Sequence, residues 1–119
     1  MRPILTALAL TIPLAASAHE TEKGPNGGRV VEAGAYHVEL VAKGTALEAW
    51  LTDRDEKALA PVGFKAVALL VVAGKSQRIP MEPAGNRLVG TATMDLPAAP
   101  KGAVQLTAPG GKQVNARFN

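Results

Sequence analysis

The sequence predicts an all-β fold, an immunoglobulin-like two-sheet sandwich of about seven to eight antiparallel strands, and three observations carry that prediction. Turn-forming residues recur at short intervals, with 12 glycines and 9 prolines among 119 residues. Between them apolar residues alternate with a period of two, the pattern of strands buried on one face. No 3.6-residue period is sustained anywhere. Ala58 to Ala73 is rich in alanine and leucine, but Pro61, Gly63 and several valines oppose a helix there.

The chain divides into residues 1–18 and 19–119. Met1-Arg2 gives a positive start, Ile4 to Ala16 is apolar and uncharged, and Ala16-Ser17-Ala18 has the small-x-small form that signal peptidase accepts. Residues 1–18 are therefore expected to be a signal peptide, and 19–119 a single exported β-sandwich domain. The apolar stretch is shorter than the roughly 20 residues a membrane-spanning helix needs. Pro3 and Pro13 also argue against a buried helix. No membrane insertion is expected after cleavage. The chain has no cysteine, so neither disulfides nor a lipid-anchored cysteine enter the account.

Strands are expected in order from there. Arg29 to Glu32 is the first, ended by Ala33-Gly34-Ala35. Tyr36 to Lys43 alternates, with Tyr36, Val38, Leu40 and Ala42 on one face and His37, Glu39, Val41 and Lys43 on the other. Gly44-Thr45 turns the chain into Ala46 to Thr52, with Leu47, Ala49 and Leu51 inward. Asp53 to Lys57 is a charged loop. Lys65 to Ala73 is almost continuously apolar and predicts a central strand covered on both faces. Turns at Gly74-Lys75-Ser76 and Ala84-Gly85-Asn86 lead into Gln77 to Glu82 and Arg87 to Thr93. Val104 to Ala108 and Gln113 to Phe118 form a last hairpin. The expected core is Val30, Val38, Leu40, Leu47, Leu51, Val67, Leu69, Val71, Leu88, Val104, Leu106 and Val114.

Composition excludes several activities. A formal net charge of +3, four aromatic residues and no Lys/Arg run speak against a nucleic-acid surface. An enzyme is not expected. There is no cysteine nucleophile, and Ser76 lacks the strand–turn–helix setting of a catalytic serine. Gly74-Lys75-Ser76 echoes the end of a phosphate loop, but Leu69 stands where its first glycine belongs and no helix is expected to follow. Asp53 and Asp55 flank Arg54 in a turn and read as solvated loop residues. Met81 and Met94 could bind Cu⁺ through their thioethers, or fill gaps in the core.

The two histidines remain. Cleavage after Ala18 leaves His19 with a free α-amine beside its imidazole, a pair able to chelate Cu²⁺. A third nitrogen from His37 would complete a T-shaped set resembling a histidine brace, with a carboxylate such as Glu39 or Glu20, or a water, in the remaining position. The candidate metal ligands are thus His19, His37 and Glu39, and the ion a copper ion. A frayed terminus without purpose is the competing reading of His19. A two-residue turn at Gly44-Thr45 would place Glu39 opposite Trp50 and His37 opposite Thr52, giving either a metal site under an indole or a solvated sheet face.

Gly24-Pro25-Asn26-Gly27-Gly28, then Val30-Val31-Glu32, Gly34 and Tyr36-His37-Val38-Glu39-Leu40, resembles a known module. It is similar to the small periplasmic domain at the start of adaptor subunits of heavy-metal efflux pumps, and to related stand-alone exported proteins. In that family an aromatic-x-Val-Glu-Leu strand follows the glycine run, and a turn containing Asp comes later; Asp53 to Ala58 stands in its place here. The resemblance covers residues 23–72. It implies a periplasmic location, metal handling, and a heavy-metal efflux component as partner. Lys23 stands where relatives often carry histidine before Gly-Pro. The alternative function is a metal-free β-sandwich module that docks to another protein of the cell envelope.

Overall fold

Ten strands, bounded by the turns the sequence supplies, form the chain in a computed structural model that describes residues 22–119. The expected signal over residues 1–18, with His19 and Glu20, lies outside the described residues. The strands are β1 (Glu22–Lys23), β2 (Arg29–Ala33), β3 (Tyr36–Lys43), β4 (Ala46–Thr52), β5 (Ala58–Leu59), β6 (Lys65–Val72), β7 (Lys75–Ala84), β8 (Arg87–Thr91), β9 (Lys101–Thr107) and β10 (Gln113–Phe118). Every pairing is antiparallel, and no helix occurs among the described residues. The protein is all-β, as its sequence predicts.

The strands join in one hydrogen-bonded path, β1-β2-β3-β4-β8-β7-β6-β9-β10, with β5 pairing β4 off that path. β7 makes the path continuous. Its Lys75 to Met81 pair with β6, and Glu82 to Ala84 pair with β8. Pro80 and Pro83 lie on this strand that changes partner, where a missing donor is tolerated. Gly90 of β8 faces the bend. A Cβ there would come within 2.7 Å of the Pro80 carbonyl oxygen, so the close approach depends on its absence.

The sheet curls until β10 lies against β2. Arg29 of β2 stacks its guanidinium 5.5 Å from the centre of the Phe118 ring of β10. Inside the curl, Val38, Leu40, Leu47, Leu51, Leu88, Val104 and Leu106 are buried, as their alternation predicts. Phe118, Leu70 and Met81 are also buried. Met81 is a core residue, and Met94 packs partly against the core.

β6 corrects the sequence reading. It is covered on one face only, with Ala66, Ala68, Leu70 and Val72 inward. Leu69 is 40% exposed, Val71 52% exposed and Val67 half-buried. An uninterrupted apolar run has no period from which to read parity, and the expected core residues Val67, Leu69 and Val71 lie on the outer face. Val30 is likewise not core. It pairs with Glu39 on the outer face, and its neighbour Val31 packs inward. Val114 is only partly buried. The β6–β7 turn lies at Ala73-Gly74, one residue before its expected place, with positive φ of 52° and 77°. A left-handed alanine there costs about 1–2 kcal/mol relative to a glycine.

The corrected parity has a direct consequence. Leu70→Ala should lower unfolding free energy by about 2–5 kcal/mol, the range for a large-to-small change in a packed core. Leu69→Ala should change it by less than about 1 kcal/mol, as at an exposed site. Guanidinium denaturation midpoints of the two variants check this ordering.

Candidate functional site

The outward side chains of β3 organise the face on which the sequence places its candidate ligands. The turn at Gly44-Thr45 sets the predicted register: Glu39 lies opposite Trp50 and His37 opposite Thr52. On the other side, β2 places Val30 opposite Glu39 and Glu32 opposite His37. The face is not uniformly solvated.

Glu39 is 4% exposed and is the one buried charged residue among those described. Its Oε2 accepts from the backbone N–H of Asn26 at 2.8 Å and of Gly28 at 2.9 Å. Its Oε1 accepts from Asn26 Nδ2 at 2.9 Å. The Gly24–Gly28 loop therefore folds over the carboxylate. Within the loop, Gly24 N–H donates to the Gly28 carbonyl at 2.8 Å and Gly27 N–H to the Gly24 carbonyl at 3.1 Å. A Cβ on Gly24 would lie 2.6–2.7 Å from the two Glu39 oxygens. A Cβ on Gly28 would meet Val41 Cγ2 at 2.7 Å. Only glycine leaves room there for the carboxylate and the strand beneath it. Glu39, a candidate ligand from sequence, thus has both oxygens engaged in holding the loop.

His37 is oriented by the other end of the face. Its Nδ1 lies 3.1 Å from the backbone oxygen of Asp53. A carbonyl can only accept, so Nδ1 carries the hydrogen and Nε2 of a neutral ring presents its lone pair. That Nε2 is 3.5 Å from Glu32 Oε1. The imidazole side chain is 21% exposed and the Glu32 carboxylate 83%. The cross-strand register thus brings an imidazole nitrogen and a carboxylate oxygen, both donor types found at divalent metal sites, to one spot on the face. A shallow pocket lined by Glu32, Gly34, Tyr36, His37 and Arg54 opens beside them.

Asp53 anchors the turn that carries its carbonyl. Its Oδ1 accepts from the N–H groups of Asp55 at 2.8 Å and Lys57 at 3.0 Å. Its backbone oxygen also accepts from Glu56 N–H at 3.0 Å. Asp53 is thus a turn-forming residue. Further along the face, Glu48 pairs with Arg87, whose guanidinium lies 6.0 Å from the centre of the Trp50 ring. Charge and indole are satisfied locally in that cluster.

Glu32 was missed as a site residue, although its signal was present. Gly34-Ala35 is a two-residue hairpin turn, and counting back from it pairs Glu32 with His37. Among the described residues no three His, Cys, Asp or Glu side chains converge as a metal-binding group. The chain matches no protein-family model, no curated protein and no solved structure in the comparisons made.

The clamp at Glu39 predicts an ordered series. Glu39→Leu leaves the buried Gly28 N–H without an acceptor and should cost about 2–3 kcal/mol. Glu39→Gln keeps an acceptor for both backbone donors, and its amide can pair with a turned-over Asn26 side chain, so about 1 kcal/mol is expected. Thermal and denaturant unfolding of the two variants check the order.

Proposed function

We propose that the protein is a periplasmic metal-handling accessory protein that captures a divalent ion, copper in the first instance, for a heavy-metal efflux component. The observation that carries the proposal is the His37–Glu32 pair, an imidazole whose proton is committed to the Asp53 carbonyl and whose free nitrogen faces a carboxylate. Metal-bound histidines commonly have this outer arrangement, with the second ring N–H donated to a carbonyl. An imidazole nitrogen and a carboxylate oxygen suit Cu²⁺ and Zn²⁺, and copper stands highest in the divalent series. His19 would supply its α-amine and ring nitrogen after export. Glu39 then acts through the loop, and among the described residues Glu32 is the carboxylate that approaches His37.

The same reading takes the curled sheet as an immunoglobulin-like sandwich. Strands on both sides of the β7 crossing turn one face toward a shared core, which supports two layers.

The test is a Cu²⁺ titration of the exported protein, with its first residue established as His19 by mass spectrometry. Three variants accompany it: His37→Ala, Glu32→Gln, and a form extended by one residue ahead of His19. Each should weaken binding, and the His37→Ala and extension losses should not add because they dismantle one site. Affinity should fall on acidification as protons compete for the imidazole and amine. Equal affinity for the wild type and all three variants would remove the metal reading.

A further inference from the structure

Outside the β3 face, the most unusual surface is the outer side of β6 and its neighbours. Val67, Leu69 and Val71 form an apolar stripe along β6. One rung across the sheet places Arg78 of β7 opposite Leu69, Ala103 of β9 on the other side, and Arg117 of β10 beyond it. The next rung sets Val71 between Ser76 and Lys101. Cations thus border the stripe on both sides, and Lys65 continues it at one end. Glu82 is the only acidic side chain alternating onto this outer face from β6, β7, β9 and β10.

We infer that this face docks an acidic amphipathic helix of a partner protein, with apolar residues of the helix on Val67, Leu69 and Val71 and carboxylates on Arg78, Lys101 and Arg117. Dimensions and charge favour that occupant. A helix about 10–12 Å across spans the two strand spacings, about 9.6 Å, that separate β7 from β9. It would lie along β6 with its flanks over Arg78 of β7 and Lys101 of β9, and Arg117 of β10 stands one strand spacing, about 4.8 Å, further out, within reach of a long acidic side chain. About 17 helical residues match the ~26 Å length of this eight-residue strand.

Other occupants fit less well. A partner strand cannot add here, because β6 is already hydrogen-bonded to β7 and β9. A second copy packed face to face would set the same cations against each other. A bilayer is disfavoured because no aromatic side chain stands on the stripe to anchor it at an interface. Docking at this face leaves His37 free, so the inference stands apart from the metal reading.

The experiment is an NMR titration of the exported chain with a synthetic helical peptide carrying a leucine stripe flanked by glutamates. A second peptide has lysines in place of the glutamates, and a third probe is vesicles of phosphatidylglycerol. The acidic peptide should shift the amides of β6 and β9, and added salt should weaken its binding. The double variant Arg78→Glu/Arg117→Glu should weaken it at least tenfold, and Leu69→Ser should weaken it with the cations intact. Both sets of substitutions lie at exposed positions, and unchanged unfolding midpoints would confirm that the fold survives them. Failure of the acidic peptide to bind, equal binding of the lysine peptide, shifts confined to the β3–β4 face, or preferential binding to the vesicles would each overturn the inference.

Discussion

The burial of one carboxylate governs how the first half of this protein is arranged. Removing Glu39 from water carries a desolvation cost, and three donors from the loop 24–28 offset it. The donors belong to a segment with little apolar content of its own, which would not otherwise be held against the sheet. The carboxylate therefore converts a glycine-rich loop into a fixed cover over β3. The loop in turn sets the β1–β2 hairpin, whose register pairs Glu22 with Val30 and Lys23 with Arg29. A second outward side chain of the same strand, His37, ties down the Asp53 turn through its backbone oxygen. Two polar side chains, two positions apart on β3, thus connect three segments that are separate in sequence.

The glycine run 24–28, the strand around Glu39 and the turn at Asp53 are physical partners: loop donors, carboxylate acceptor and carbonyl acceptor. The remaining nitrogen of His37 faces Glu32, its cross-strand neighbour, and the metal proposal rests on that pair.

Much of the fold was legible in the sequence. Strands β3, β4 and β10 begin and end where alternation and turns put them, and the β3–β4 register follows from a single two-residue turn. Legibility failed where the signals were silent. The β6 run carries no parity, and Leu69 and Val71, core residues by composition, lie on an exposed stripe. Burial of Glu39 was also hidden, because alternation assigns it to a face and says nothing of a loop folding over that face. β1 and β5, two residues each, are too short to carry any period. At the site, His37 was visible as a residue type, while its orientation depended on a backbone carbonyl that sequence pattern does not display. His19 lies outside the described residues, so its part in the site rests on sequence.

The Glu39 carboxylate fastens the glycine loop to the sheet. Amide hydrogen exchange of Asn26 and Gly28 reads this directly, because both N–H groups donate to the same carboxylate oxygen. Both amides should exchange slowly in the wild type, with Gly28 the slower because it is buried, and both should accelerate strongly in Glu39→Leu. Wild-type exchange at the rate of an open loop, or protection that persists unchanged in Glu39→Leu, would contradict it.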